Sequence, residues 1–194
     1  MLKTFVSFFF VFGAWLAHGT SLQDTPITPQ NHFNLDQFLG RWFEVAVVST
    51  CPHFMQRKMR SPAIVQLDLN NTESNISVAA TTFRNESCKS TFTNYSMTDT
   101  PGKFFYHVPK FNADVDVYVV DTNYVQYALM VLLSTELPEG NTTWIVKLYS
   151  RSKEVSEAMM ENFKTLVRQQ GIDKTVIMNQ DRGTLITTYQ IQMQ

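Results

Sequence analysis

Phe33-Asn34-Leu35-Asp36-Gln37-Phe38-Leu39-Gly40-Arg41-Trp42 carries a short amphipathic turn into a glycine and then a tryptophan, at the head of a β-prone run. Gly40, with no Cβ, permits a sharp entry into the first strand. That strand spans Trp42 to Thr50, and a longer polar loop, Cys51 to Arg60, follows it. Ala63 to Leu69 alternates through Ile64, Gln66 and Asp68, and Asn75 to Phe83 and Ser87 to Met97 make two more strands. Asp99-Thr100-Pro101-Gly102 places proline and glycine where a tight reversal uses them. Lys103 to Val108, Val115 to Asp121, Tyr124 to Leu133 and Thr143 to Ser150 complete eight strands. Thr122-Asn123 and the loop Leu137 to Asn141 connect the last three. Strands at short intervals with no helix between them predict an all-β, antiparallel, up-and-down barrel that closes on itself.

The texture changes once, after Arg151. Val155, Ala158, Met159, Phe163, Leu166 and Val167 follow the spacing of one helical face, and the charged residues fall mainly elsewhere. Ser152 is the expected N-cap and Gly171 the expected C′ residue. This helix should pack its apolar face, methionines included, on the outside of the barrel. The expected organisation is a leader at 1–19, an arm at 20–32 containing Pro26 and Pro29, barrel and helix at 33–183, and a tail at 184–194.

The chain has 194 residues, 44% of them hydrophobic, and a formal net charge of −1. That suits one domain with a sizeable core, and it lacks the basic excess that nucleic-acid binding requires. Lys3, the apolar run Phe5 to Leu16, and the small residues Ala17 and Gly19 have the layout of a signal peptide. The run falls short of the ~20 residues of a bilayer span, so no membrane span is expected. Asn70, Asn75, Asn85, Asn94 and Asn141 each open a glycosylation sequon, which predicts surface positions in a secreted protein. Cys51 and Cys88 form no C-x-x-C pair, zinc pattern or disulfide framework, and no metal site is expected. No Ser/His/Asp set or carboxylate pair has a spacing that points to hydrolysis.

With Phe33-Asn34 before it, Gly40-Arg41-Trp42 resembles the first signature block of the lipocalin family. Thr122-Asn123-Tyr124 resembles the second block, with Asn123 in place of the common Asp but still a turn former. Arg151, ending Lys147-Leu148-Tyr149-Ser150-Arg151, stands where the family carries its third-block arginine. The resemblance implies that Trp42 plugs the closed floor of the barrel and that the Arg151 guanidinium packs on it as a cation–π lid. Gly40, Trp42, Thr122, Tyr124 and Arg151 are then structural. It also implies an interior wide enough for one small hydrophobic ligand. Phe105, Tyr106, Tyr118, Tyr127 and Met130 lie on the strands expected to line that interior, although the inward parity is open.

Ser49-Thr50-Cys51-Pro52, Gly102-Lys103-Phe104, Tyr118-Val119-Val120 and Asp181-Arg182-Gly183 are similar to blocks of the alpha-1-microglobulin branch of that family. In that branch the cysteine at the Cys51 position is implicated in reduction, radical trapping and haem chemistry, assisted by three rim lysines. Lys147 retains one of them, whereas Val108 and Ser134 occupy the other two positions. The implied activity is at most a weak thiol-dependent reductase using Cys51 and Lys147. His53, Arg57, Lys58 and Arg60 lie near Cys51 in sequence, and positive neighbours favour a thiolate. No cofactor is required, while His53 and His107 raise haem or another chromophore as a ligand. The family partner of Cys88 is a cysteine near the C-terminus, where this chain has Thr184-Leu185-Ile186. A Cys51–Cys88 bond, a free Cys51, and a Cys51 bridge to another secreted chain all remain open. The branch also carries a Kunitz-type inhibitor, but no cysteine-rich module follows Gly183 here, so protease inhibition is not expected. The leading expectation is transport or sequestration of a small hydrophobic molecule in extracellular fluid.

Overall fold

The computed structural model describes residues 26–84 and 87–180. The leader, residues 20–25 of the arm, the Asn85 sequon, Asp181-Arg182-Gly183 and the tail lie outside the described residues. The Asn34 side chain accepts the Gln37 amide at 3.0 Å and so caps the single turn α1 (Leu35–Phe38). Gly40 then starts β1 (Gly40–Ser49) at φ +90°, and the Cβ of any other residue would lie 3.5 Å from Arg151 Nη1. That contact is an ordinary one, so it is the backbone angle that favours glycine there.

The chain continues through α2 (Pro52–Arg60), β2 (Val65–Asn71), β3 (Asn75–Arg84), β4 (Ser87–Met97) and β5 (Lys103–Val108). A 3-10 turn at Pro109–Phe111 leads to β6 (Ala113–Thr122), β7 (Tyr127–Glu136), β8 (Thr142–Ser150), α3 (Glu157–Gln169) and β9 (Ile177–Met178). Strands β2 to β8 pair antiparallel in sequence order, β8 pairs with β1, and β1 pairs back onto β2. The eight-stranded sheet is therefore closed. The short β9 adds to β1 at Ala46 and Val47, beyond the segment of β1 that β2 occupies.

Two apolar cores result. Inside the barrel, Trp42, Leu67, Val78, Phe104, Val117, Met130 and Leu132 pack together with Phe38 of α1. Outside, Val131, Val146 and Leu148 of the sheet meet Phe163, Leu166 and Val167 of α3. Strands β1, β7 and β8 are covered on both faces, which is why Val45–Val48 and Leu129–Leu132 are apolar without alternation.

Several local readings differ from the structure; on α3, for one, Ala158 is exposed and Met160 packs against the outer core. The polar loop after β1 contains the helix α2: Pro52 sits at its first turn, where a missing N–H costs nothing, and Met55 is buried. Arg57, Lys58 and Arg60 lie in its last turn, where the helix dipole favours cations. Strand β7 begins at Tyr127, not Tyr124, because Asn123 Oδ1 accepts the amides of Gln126 and Tyr127 at 2.9 and 3.1 Å and holds a turn. Tyr124 takes φ +63° inside that turn. The α3 cap is Ser156, which accepts the Met159 amide at 3.3 Å, rather than Ser152.

Candidate functional site

The closed end fixes which way the barrel faces. Trp42 is wholly buried there, and its indole N–H donates to the Phe38 carbonyl at 2.7 Å. The Arg151 guanidinium lies 3.7 Å over the Trp42 ring. It also donates to the carbonyls of Arg41, Gln37, Leu39 and Tyr124 at 2.6 to 2.9 Å. One planar cation thus ties the α1 turn, the start of β1 and the β6–β7 turn into a floor. Any ligand must enter from the opposite end, where β1 finishes and α2 begins.

From Trp42, alternate residues of β1 point inward, and the next is Glu44. It is 3% exposed, and its cross-strand partners Val65 and Tyr149 belong to the inner core. Two cations converge on its carboxylate. Lys58 Nζ, from α2, lies 2.5 Å from Oε1, and Lys147 Nζ, from β8, lies 2.8 Å from Oε2. The Asn179 amide donates to the Glu44 carbonyl at 2.8 Å and to Oε1 at 3.3 Å. Burial alone would raise the Glu44 carboxyl, but the Lys147 and Lys58 ammonium groups outweigh it and hold it at about 2. Burial pulls the Lys147 ammonium down, while Glu44, with Tyr149, Tyr95 and Tyr106 around it, leaves it well above the ordinary lysine range. Burial likewise pushes the Tyr149 hydroxyl up to about 12 and raises those of Tyr95 and Tyr106. The Tyr95 and Tyr106 rings stack at 4.9 Å between centroids.

Beyond this cluster lies a cavity of about 490 Å³ at the barrel mouth. Ala113, Ser134, Thr143 and Ile145 supply its strand side, Phe111 comes from the 3-10 turn, and Glu136 from the end of β7. Across from them stand Cys51, His53, Phe54, Gln56, Arg57 and Arg60 of the α2 segment. Cys51 is a half-buried free thiol at the N-cap of α2.

The structure sorts the residues singled out in the sequence. Tyr106 and Met130 join the inner core. Phe105, Tyr118 and Tyr127 take the other parity and face outward, a correction to their expected place in the lining. Phe105 pairs with Asp116 across the sheet, and Lys103 sits 5.2 Å from the Tyr118 ring. The Tyr127 hydroxyl donates to Asp121 at 2.8 Å. Lys147 turns inward to Glu44 and does not line the cavity that Cys51 lines. His107 faces outward, 2.7 Å from Asp114, whereas His53 is at the mouth, so the two histidines share no site. Cys88 is an exposed free thiol, opposite Phe83 on the outward parity of β4. Thr122 Oγ1 donates to the Tyr127 carbonyl, and the Tyr124 hydroxyl accepts the Asn34 amide at 3.0 Å, so both brace the closed end. Asn70, Asn94 and Asn141 are exposed and Asn75 half-exposed. Glu44 and its lysines were missed as a site, although Glu44 lies two residues beyond Trp42 and so shares its inward parity.

The model of the Lipocalin / cytosolic fatty-acid binding protein family matches residues 39–182. The chain is a lipocalin. Members of this family bind small hydrophobic ligands. Protein AMBP of Pleuronectes platessa, an alpha-1-microglobulin/bikunin precursor, is 39% identical over 180 residues, covering 89% of this chain and 50% of that protein. Protein AMBP of Bos taurus is 36% identical over 162 residues, 82% of this chain and 46% of that one. A protein named Lipocalin from Rhinella marina is 30% identical over 159 residues, 81% of this chain and 85% of its own length. This lipocalin spans about half the length of the AMBP proteins it matches. Among solved structures, the siderocalin Ex-FABP superposes with a TM-score of 0.60 over 75% of this chain and 91% of that one, at 24% identity. That likeness bears on the fold alone.

Proposed function

We propose that this lipocalin is a secreted, N-glycosylated carrier that sequesters a small apolar molecule through its barrel mouth. The observation that carries this reading is the cavity of about 490 Å³ above inward-facing strand residues, with Phe54, Phe111 and Ile145 in its wall. Such a concave site, with a few polar groups among apolar ones, is what small-molecule recognition uses. The leader-like N-terminus and the surface placement of the described sequons support secretion. Native mass spectrometry of the protein from its own source, with uptake of an uncharged fluorescent apolar probe, tests the reading. A bound small molecule or saturable probe uptake is expected. A protein that carries nothing and takes up no probe would refute it.

A second reading rests on Cys51, a free thiol lining that same cavity beside His53, Arg57 and Arg60. Here the cavity holds a ferric haem or a radical, and the thiolate gives up one electron, leaving a sulfur-centred radical while the acceptor is reduced. Lys147 is engaged by Glu44, so the step falls to Cys51 without it. Ferric haem reduction by wild type and Cys51→Ser tests this reading, and equal rates would remove it.

A further inference from the structure

We infer that the exposed Phe92 ring is a platform for the sugar carried by Asn94: the first N-acetylglucosamine of an N-linked glycan lies against its face and stabilises the fold. The inference rests on the N-glycosylated reading above and gives one glycan a structural role.

The argument starts from a ring left in water. Phe92 is 79% exposed, more than any other large apolar side chain among the described residues. Its place in the sheet explains why the protein does not cover it. Tyr95 of β4 stands opposite Ile76 of the inner core, so Phe92, Asn94 and Ser96 take the outward parity. Across the sheet from Phe92 stands Ala79, and from Asn94 stands Ser77, both small. Strand β5 pairs with β4 only at Ser96 and Met97, and so stops short of Asn94. Among the described residues no ring or cation is paired with Phe92. It therefore forgoes the burial that a core phenylalanine gains.

Two places on is the sugar acceptor. Phe92-Thr93-Asn94-Tyr95-Ser96 puts ring, amide and sequon hydroxyl on one face of one strand. Residues two apart in a strand lie roughly 7 Å from each other, with their side chains abreast. Asn94 is exposed, and among the described residues its side chain makes no hydrogen bond, whereas Asn75 Nδ2 donates to Ser74 Oγ at 3.2 Å. Transfer from a lipid-linked diphosphate donor forms the bond between Nδ2 and the sugar's C1, and one Nδ2 proton and the lipid diphosphate leave. A β-linked pyranose has a face of axial C–H groups made electropositive by its oxygens. The negative face of a phenyl ring attracts such groups, and the contact also takes apolar surface out of water. Asn70, Asn75 and Asn141 have Asp68, Glu73 and Glu139 at the matching place and lack the ring. Phe83 precedes Asn85 by the same two residues, but Asn85 lies outside the described residues.

The test uses the full-length protein secreted from cells that add high-mannose glycans, trimmed by an endoglycosidase to one N-acetylglucosamine per site. Glycopeptide mass spectrometry is expected to find Asn94 occupied. Urea unfolding of wild type, Phe92→Ala, Asn94→Gln and the double variant then forms a cycle. The coupling between ring and sugar should be on the order of five-fold in the unfolding constant. Phe92→Tyr should keep that coupling and Phe92→Leu should lose most of it, since leucine is apolar but has no π-face. A coupling below about two-fold, within the additivity error of such cycles, or an equal coupling with leucine, overturns the inference and leaves the glycosylated reading standing. So does an unoccupied Asn94 beside other occupied sequons. A protein with no sequon occupied overturns both.

Discussion

Glu44→Gln removes a carboxylate buried inside the barrel and leaves the side chain's shape nearly unchanged. The folded protein holds the Glu44 carboxyl at about 2, against an ordinary value of 4.5. Each unit of difference is worth about 1.4 kcal/mol, so ionised Glu44 stabilises the fold by about 3 kcal/mol. Because the folded value is the depressed one, the contribution is complete above about pH 4.5. It fades as pH falls toward about 2, where both states hold the proton. Gln resembles the protonated acid and cannot titrate. The variant is therefore expected to be about 3 kcal/mol less stable at pH 7, with the gap closing between about pH 4.5 and pH 2. Other carboxylates with lowered values, such as Asp68, titrate alike in both proteins and drop out of the difference. Urea unfolding followed by tryptophan fluorescence, across that pH range, reads the gap directly. A gap that stays constant with pH, or one below about 1 kcal/mol at pH 7 as for an exposed ion pair, would refute the reasoning.

Arg151→Met should destabilise the barrel by about 2–4 kcal/mol, because it strands the carbonyls of Gln37, Leu39, Arg41 and Tyr124 and uncovers Trp42. Arg151→Lys should recover only part, since a point ammonium cannot span that fork; equilibrium unfolding measures both, and full recovery by Lys would contradict the geometry. Phe163→Ala empties a fully buried position between α3 and the sheet and should cost about 3–5 kcal/mol by the same assay. A loss below about 1 kcal/mol would show that the helix is not clamped there. In a timed alkylation of the native protein read by peptide mass spectrometry, exposed Cys88 should be modified before half-buried Cys51. For a disulfide to another chain through Cys51, Cys51→Ser should abolish the reducible species on electrophoresis, and its persistence would remove that role from Cys51.

What the sequence displayed depended on whether a residue's neighbours differ in polarity between the two faces of the sheet. Trp42, the Thr122-Asn123-Tyr124 turn and Arg151 were legible because they sit at fixed places around one closed end, where a glycine, a ring and a guanidinium must meet. On β6 the parity was legible too, had the aspartates been used: Asp114 and Asp116 alternate with Val115 and Val117, which places Tyr118 outside with the acids. The same argument sends Phe105 outward with Lys103 and His107. On β7 it fails. Tyr127, Leu129 and Val131 face outward, Ala128, Met130 and Leu132 face inward, and both sets are apolar because α3 covers the outer face. The register also slips at Glu44/Ala46 and Val119/Asp121, and each irregularity reverses the parity of whatever follows. The Lys58–Glu44–Lys147 cluster was hidden for a different reason. Its members lie 14 and 103 residues from the carboxylate along the chain, and Lys58 belongs to a segment whose polarity reads as loop. Barrel closure alone brings β8 beside β1, and α2 must fold over the mouth before Lys58 can reach inward. Glu44 could not remain ionised at that depth without the cations that closure supplies.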